Sequence, residues 1–249
     1  MPESKPHFVI IGAMKCATTT LHDQLALQPG VFMSEPKEPN FFSDEVVWGR
    51  GLGWYQGLFA DAGEGDLCGE SSTHYTKLPT HPFAAERLFE HLPHARLVYV
   101  MRDPIDRLVS HYIHEWSRRE IDVPIDEAVR RHAELIDYSR YAMQLAPWIE
   151  RFRVDRVLPV FFERLTRDPQ GEFTRVCRHI GYSGEPVWHA EAGAKNVSAK
   201  RTRYGPMMEA VLSVGAVRTL RRTLLPEAVR ERIKSRWRME DRPRLSEGA

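Results

Sequence analysis

Short apolar runs alternate along this chain with longer stretches whose apolar positions recur at helical spacing, the pattern of buried strands joined by amphipathic helices. Phe8-Val9-Ile10-Ile11 is the first run, rich in β-branched residues and predicted to be a strand covered on both faces. Leu21, Leu25 and Leu27 then mark the apolar side of a helix. Pro29-Gly30 turns the chain into a short strand at Val31-Phe32-Met33, and Trp54, Tyr55, Leu58 and Phe59 share one face of a helical turn. Leu67-Cys68-Gly69-Glu70 reads as a brief strand ending in Ser71-Ser72-Thr73-His74-Tyr75. The pattern predicts a helix over 82–92, a strand at Arg96-Leu97-Val98-Tyr99-Val100-Met101, helices over 103–119, 124–135 and 139–152, a strand over 156–162 and a helix over 169–180. Strands alternating with helices in this way predict an α/β fold with a parallel sheet flanked by helices.

The first strand is followed by chemistry. Gly12 allows a sharp turn, Lys15 sits in that turn, and Thr18, Thr19 and Thr20 open the next helix with hydroxyls. Free backbone N–H groups and the positive end of a helix dipole then face one spot beside an ammonium group, which suits a phosphate or sulfate. The segment is similar to a P-loop with altered spacing. A Walker loop wants a second glycine before the lysine and Ser or Thr after it, whereas here Cys16 follows Lys15. Cys16 has two readings, a thiol made reactive by a positive loop or a small residue that simply fits.

The fourth predicted strand runs into Arg102-Asp103-Pro104-Ile105-Asp106-Arg107-Leu108-Val109-Ser110. Asp103 before Pro104 is a sound helix start, which puts Arg102 at the C-terminal end of a strand, where open α/β sheets place ligands. Ser110 lies about two turns into the helix that follows. The plain alternative is that Arg102 pairs with Asp106 or caps the strand end.

These motifs, in this order, resemble the PAPS-dependent sulfotransferases, and most closely the branch holding the heparan-sulfate sulfotransferase domains and their bacterial relatives. GAMKCATTTL looks like the family's loop for the 5′-phosphosulfate of PAPS (3′-phosphoadenosine 5′-phosphosulfate), and LVYVMRDPIDRLVSHY like its loop and helix for the 3′-phosphate. Between them, Glu35-Pro36-Lys37-Glu38-Pro39-Asn40-Phe41-Phe42 is similar to the family's K-E-P-[HN]-[FY]-F segment. Val157-Leu158-Pro159-Val160-Phe161-Phe162-Glu163-Arg164-Leu165 and then Asp168-Pro169 match its late strand and helix start. The likeness spans residue 8 to about 182 and weakens beyond.

The resemblance implies a P-loop-NTPase-like sheet with a helical C-terminal extension, in a single domain over 1–249. Its core is expected at about 7–182, a basic loop closing over the nucleotide at about 193–205, and a helical tail at about 206–240. It implies sulfuryl transfer from PAPS, without a metal, to a hydroxyl or less readily an amine of a carbohydrate or small metabolite. Lys15 is the expected catalytic cation on the departing oxygen. Lys15, Cys16, Ala17, Thr18 and Thr19 are expected to hold the 5′-phosphate, Arg102 and Ser110 the 3′-phosphate, and Lys200 and Arg201 the closing loop. Glu38 is the expected general base, acting as the O–S bond forms or with its pKa raised by burial, and Glu35 is its rival. Lys37, Asn40 and His74 are expected on the acceptor side, with Lys37 either steadying the sulfuryl oxygens or facing water. Two departures fall there: Ser71 stands where some glycan-modifying relatives carry lysine, and Asn40 where they often carry histidine. His74 and Lys77 are candidates for the missing cationic role.

Bulk properties narrow the alternatives. Over 249 residues the charges nearly balance, at +1, which argues against a general polyanion-binding surface. Arginines recur from Arg218 to Arg238, but Glu227, Glu231, Glu240 and Asp241 intersperse them, so a solvated helix face is expected rather than a nucleic-acid or membrane surface. Three scattered cysteines give neither a disulfide framework nor metal spacing. No apolar run approaches membrane-spanning length and the N-terminus lacks an apolar leader core, so the chain reads as cytoplasmic. A small-molecule kinase of the P-loop class and a non-catalytic polyanion-binding module are the rival functions. Acceptor identity and oligomeric state stay open.

Overall fold

Every residue of the first strand, β1 (Phe8–Gly12), is buried, as its unbroken apolar run requires. The other strands are β2 (Val31–Met33), β3 (Leu67–Ser71), β4 (Arg96–Met101) and β5 (Val157–Phe161). They form one parallel sheet in the order β2-β3-β1-β4-β5 in the computed structural model, which describes residues 5–192 and 242–246. β1 is thus central, and the chain builds outward first on one side and then on the other, so the order reverses beside it. Two glycines make close packing there possible. A Cβ on Gly69 would lie 2.1 Å from the Phe8 ring, and one on Gly12, at φ 147°, would lie 2.0 Å from Thr76 Oγ1.

The helices are α1 (Thr18–Ala26), α2 (Glu45–Trp48), α3 (Leu52–Gly57), α4 (Ala84–His91), α5 (Pro104–Arg118), α6 (Ile125–Arg131), α7 (Glu134–Asp137), α8 (Tyr141–Phe152), α9 (Phe162–Arg167) and α10 (Pro169–Ile180). Local sequence sets several of the starts. Asp103 Oδ1 accepts the Asp106 N–H at 2.9 Å ahead of Pro104, and Asp168 Oδ1 accepts the Gly171 N–H at 3.0 Å ahead of Pro169. Asp44 Oδ1 caps α2 through the Val46 and Val47 N–H groups.

Several sequence expectations need correction. The helix expected over 124–135 is two, because His132 leaves helical geometry at φ −121° and ψ 83°. Leu27 lies just past the end of α1 and is 49% exposed rather than packed. The short helices α2 and α9 carry too little periodicity to be read from sequence. The expected closing loop at about 193–205 and the tail at about 206–240, arginines included, lie outside the described residues.

Chain contacts divide the protein into two units, Met1–Leu108 with Ala133–Lys195 and Val109–His132 with Asn196–Ala249. The first holds the sheet and its core, from Phe8, Ile10 and Val98 to Trp148, Phe173 and Val176. In the second, Val109, Tyr112, Ile113, Ile121, Ile125 and Val129 are buried, and the Tyr112 hydroxyl donates to the Val123 carbonyl at 2.8 Å.

Candidate active site

Because the sheet is parallel, β1, β3, β4 and β5 all deliver their C-terminal ends to one edge, where Lys15, Glu38, His74 and Arg102 are carried by the segments that follow or bond to those strands. The loop after β1 has Lys15 at φ 71° and Ala17 at φ 67°, left-handed conformations of the kind found in anion-binding turns, while the Cys16 N–H between them donates to the Ala13 carbonyl at 3.3 Å. Ala13 N–H donates to the Val100 carbonyl at 2.8 Å, fixing the loop to β4. Ala17 is the N-cap of α1 and has no side-chain acceptor, and the first turn has no acidic residue. The positive end of α1 is therefore not neutralised by its own sequence, as an anion cradle needs. Thr18 is buried, whereas Thr19 and Thr20 are partly open. Cys16 is fully buried, and burial pushes its thiol up to about 11. Of the two readings of Cys16, this burial favours the small residue that simply fits.

Arg102 follows β4. Its guanidinium lies 4.8 Å over the Phe162 ring and 3.0 Å from Asp106, so the ion pair left open by the sequence is made. Its buried Nε has no hydrogen-bond partner among the described residues. Such an orphan donor beside an anion loop fits a phosphate ligand. The Tyr141 hydroxyl donates to the Arg102 carbonyl at 2.8 Å and stands 3.8 Å from Cys16 Sγ, joining the two loops. From the β5 end, Glu163 accepts the Asp103 N–H at 2.9 Å. Arg107 is fully buried, held by Ser139 Oγ and the Leu135 carbonyl, both at 2.6 Å. Ser110 is buried on α5 and belongs to the second unit.

The segment around Glu38 is laced to the end of β3. Glu38 N–H donates to the Ser71 carbonyl at 2.9 Å, Asn40 N–H to Ser72 Oγ at 3.0 Å, and Phe42 N–H to the Tyr75 hydroxyl at 3.5 Å. Phe41 and Phe42 are fully buried anchors, Phe41 stacked on Tyr55 with centroids 4.7 Å apart. Glu38 and Asn40 adopt φ 61° and 54°, which this lacing sustains. Glu38 Oε1 receives Lys37 Nζ at 2.9 Å and Thr73 Oγ1 at 3.3 Å, while Glu35 is exposed. Burial raises the Glu38 carboxyl, but the charge and hydrogen bond of Lys37, and then Lys77, outweigh it and hold it below the ordinary value. Of the two alternatives given for Glu38, action as the O–S bond forms or a pKa raised by burial, these charges disfavour the second.

His74 does not supply a cation. Burial first, and then Lys77 and His81, push it down to about 4, and it stacks on His81 at 4.9 Å. Lys77 lies 5.8 Å from the Tyr138 ring centroid and is the cation of that group. Ser71, in place of the relatives' lysine, is tied to His22 Nδ1 at 2.9 Å in the core. Lys200 and Arg201 lie outside the described residues.

Sequence reading missed two residues that organise the site. Tyr141 starts α8 and carried no motif. Glu70, at the end of β3, is completely buried and accepts hydrogen bonds from Tyr55 (2.9 Å), Tyr75 (2.7 Å) and Ser72 (2.8 Å). Burial raises its carboxyl to about 7 despite these donors. A glutamate closing an apolar strand pattern was the available signal.

Comparison with known proteins assigns the class. The chain belongs to the sulfotransferase family, whose model matches residues 53–186. Heparan sulfate glucosamine 3-O-sulfotransferase 3A1 of Mus musculus is 33% identical over 186 residues, 71% of this chain and 46% of that protein. Heparan sulfate glucosamine 3-O-sulfotransferase 6 of Mus musculus is 27% identical over 248 residues, 94% of this chain and 69% of that protein. The chain spans about half the length of the first of these relatives. A sulfotransferase from Alicyclobacillus acidocaldarius shares the fold at TM-score 0.64 and 23% identity, over 92% of this chain and 99% of that one. Among the described residues no helix is long and apolar enough to cross a membrane.

Proposed function

We propose that this chain transfers the sulfuryl group of PAPS to a hydroxyl, less readily an amine, of a carbohydrate or small hydroxylated metabolite. The observation that carries the proposal is the Tyr141 hydroxyl binding the Arg102 strand end and approaching Cys16 of the β1 loop, which supports reading the two segments as parts of one anion site. The left-handed Lys15–Ala17 turn, the uncapped start of α1 and the orphaned Arg102 Nε fit the two phosphate ends of PAPS.

PAPS supplies an activated sulfuryl group on a phosphate leaving group, and no covalent enzyme intermediate is required. The chain's part is positioning and electrostatics. The turn has the character of a P-loop cradle, although the Walker spacing is absent. Its amides and the Thr18 and Thr19 hydroxyls hold the 5′-phosphate. Lys15 places its charge where the bridging oxygen gains electrons as the sulfur–oxygen bond breaks. Arg102 grips the 3′-phosphate, which distinguishes PAPS from ATP. On the acceptor side, Glu38 takes the hydroxyl proton. Being an ionised carboxylate, it is a weak base that acts only once the new O–S bond has begun to form. Lys37 and Thr73 fix its orientation, and Asn40 and His74 line the acceptor side as neutral polar groups.

The test is transfer of labelled sulfate from PAPS to de-O-sulfated heparan oligosaccharides and to a panel of small hydroxylated metabolites. A labelled product from wild type, reduced about 10²–10⁴-fold in Glu38→Gln, supports the reading. Full activity in Glu38→Gln with loss in Glu35→Gln removes the base assignment.

A further inference from the structure

Glu70 takes no part in the chemistry proposed above, yet it is a completely buried carboxyl with three hydroxyl donors. Those donors have different second contacts. Ser72 Oγ gives its proton to Glu70 Oε2, which leaves its lone pairs for the Asn40 N–H at 3.0 Å. Tyr75 gives its proton to Glu70 Oε1 and accepts the Phe42 N–H at 3.5 Å. Tyr55 also donates to Oε1, but it accepts no backbone N–H of the 38–42 segment. Asn40 and Phe42 are the alternate residues after Glu38, so two of the bonds that suspend this segment run back to one carboxyl group.

From this connectivity we infer that Glu70 is a positioning residue that holds the Glu38 segment by orienting the Ser72 and Tyr75 hydroxyls as acceptors. The arrangement depends on chemistry rather than bulk. A hydroxyl whose proton is committed to a carboxylate must present its oxygen to any other donor. Without the carboxylate the proton is free to rotate toward the backbone N–H, and the acceptor is lost. Glu38 sits at φ 61°, a conformation that needs outside support, and its own N–H is held by Ser71, next to Ser72. Tyr55, Tyr75 and, through space, Glu38 are the titratable groups that face Glu70. The inference concerns the geometry of the segment; its catalytic meaning rests on the role proposed for Glu38.

The Tyr55 contact supplies a matched control. Amide hydrogen exchange is followed in the full chain by mass spectrometry, comparing the peptide over 34–43 with that over 8–26. Ser72→Ala and Glu70→Gln should speed exchange across 34–43 at least tenfold and leave 8–26 within twofold. Tyr55→Phe removes one bond to the same carboxyl but keeps the ring on Phe41, and should leave both peptides unchanged. Where turnover of PAPS is measurable, Ser72→Ala should lower kcat at least tenfold with donor KM within twofold. Equal loosening by Tyr55→Phe and Ser72→Ala overturns the inference, as does an unchanged 34–43 peptide in Ser72→Ala or in a folded Glu70→Gln. If Glu70→Gln fails to fold, the Ser72 and Tyr55 variants decide the matter. The expected exchange pattern in a chain that never turns over PAPS supports the inference while removing the sulfuryl-transfer reading.

Discussion

Lys37 Nζ lies 2.9 Å from Oε1 of Glu38, its neighbour in sequence, and the pair sits partly open at the C-terminal edge of the sheet. Adjacent residues in a regular strand point to opposite faces, so the contact depends on the left-handed turn at Glu38. The pairing keeps the carboxyl ionised despite its partial burial. In the proposed role Glu38 must be ionised to accept a proton, so the limb of the kcat profile set by Glu38 itself should lie below the ordinary carboxylate range, apart from any fall that protonation of Glu70 brings as pH drops through about 7. Lys37→Ala removes the main charge that lowers this pKa and leaves the burial that raises it. The limb should therefore move toward higher pH, read from kcat against pH in both proteins.

Lys15 should separate binding from chemistry. In the proposed role its charge matters most when the bridging oxygen is leaving, so Lys15→Ala should weaken adenosine 3′,5′-bisphosphate binding modestly and lower kcat by roughly 10²–10³-fold, the range for losing one group that stabilises developing negative charge. Calorimetry and single-turnover rates measure the two effects. A raised donor KM with unchanged kcat would make Lys15 a binding residue alone.

Glu70 should leave a mark on stability against pH. Its folded pKa of about 7 lies above the ordinary 4.5, so the folded chain holds the proton more tightly than the unfolded one. The stability from that preference is complete below about 4.5 and is lost as pH rises toward and through 7, on the order of 3 kcal/mol in all. His74 acts oppositely. Lowered from 6.5 to about 4, it makes stability rise with pH between those values. The wild-type curve alone therefore mixes two slopes. In denaturant titrations at pH 5 and pH 8, Glu70→Gln should lack the alkaline loss, and the difference between the two curves should isolate it.

The local structure around the candidate donor side was legible in sequence because short-range rules act there. The apolar run of β1, the glycine turn, the hydroxyl-rich start of α1 and the Asp103-Pro104 start of α5 each have a short-range cause. Phe41 and Phe42 were equally readable as anchors, since two adjacent aromatics on a polar loop must bury somewhere. What escaped depends on contacts distant in sequence. Tyr141 reaches Arg102 across 39 positions, and Tyr55 reaches Glu70 across 15, so neither has a signature in a local window. The electrostatics that the sequence left open have the same origin. The burial of Cys16 and the charges around Glu38 and His74 come from packing, and spacing along the chain does not encode their sum.

Calorimetric titration of wild type and Arg102→Ala with adenosine 3′,5′-bisphosphate and with AMP tests the PAPS reading most directly, because no acceptor need be known. Wild type should prefer the bisphosphate by about ten- to a hundredfold, as one charged hydrogen-bonding contact of roughly 1.5–3 kcal/mol requires. Arg102→Ala should lose most of that preference while binding AMP as before. Equal affinity of wild type for AMP and the bisphosphate would contradict the account.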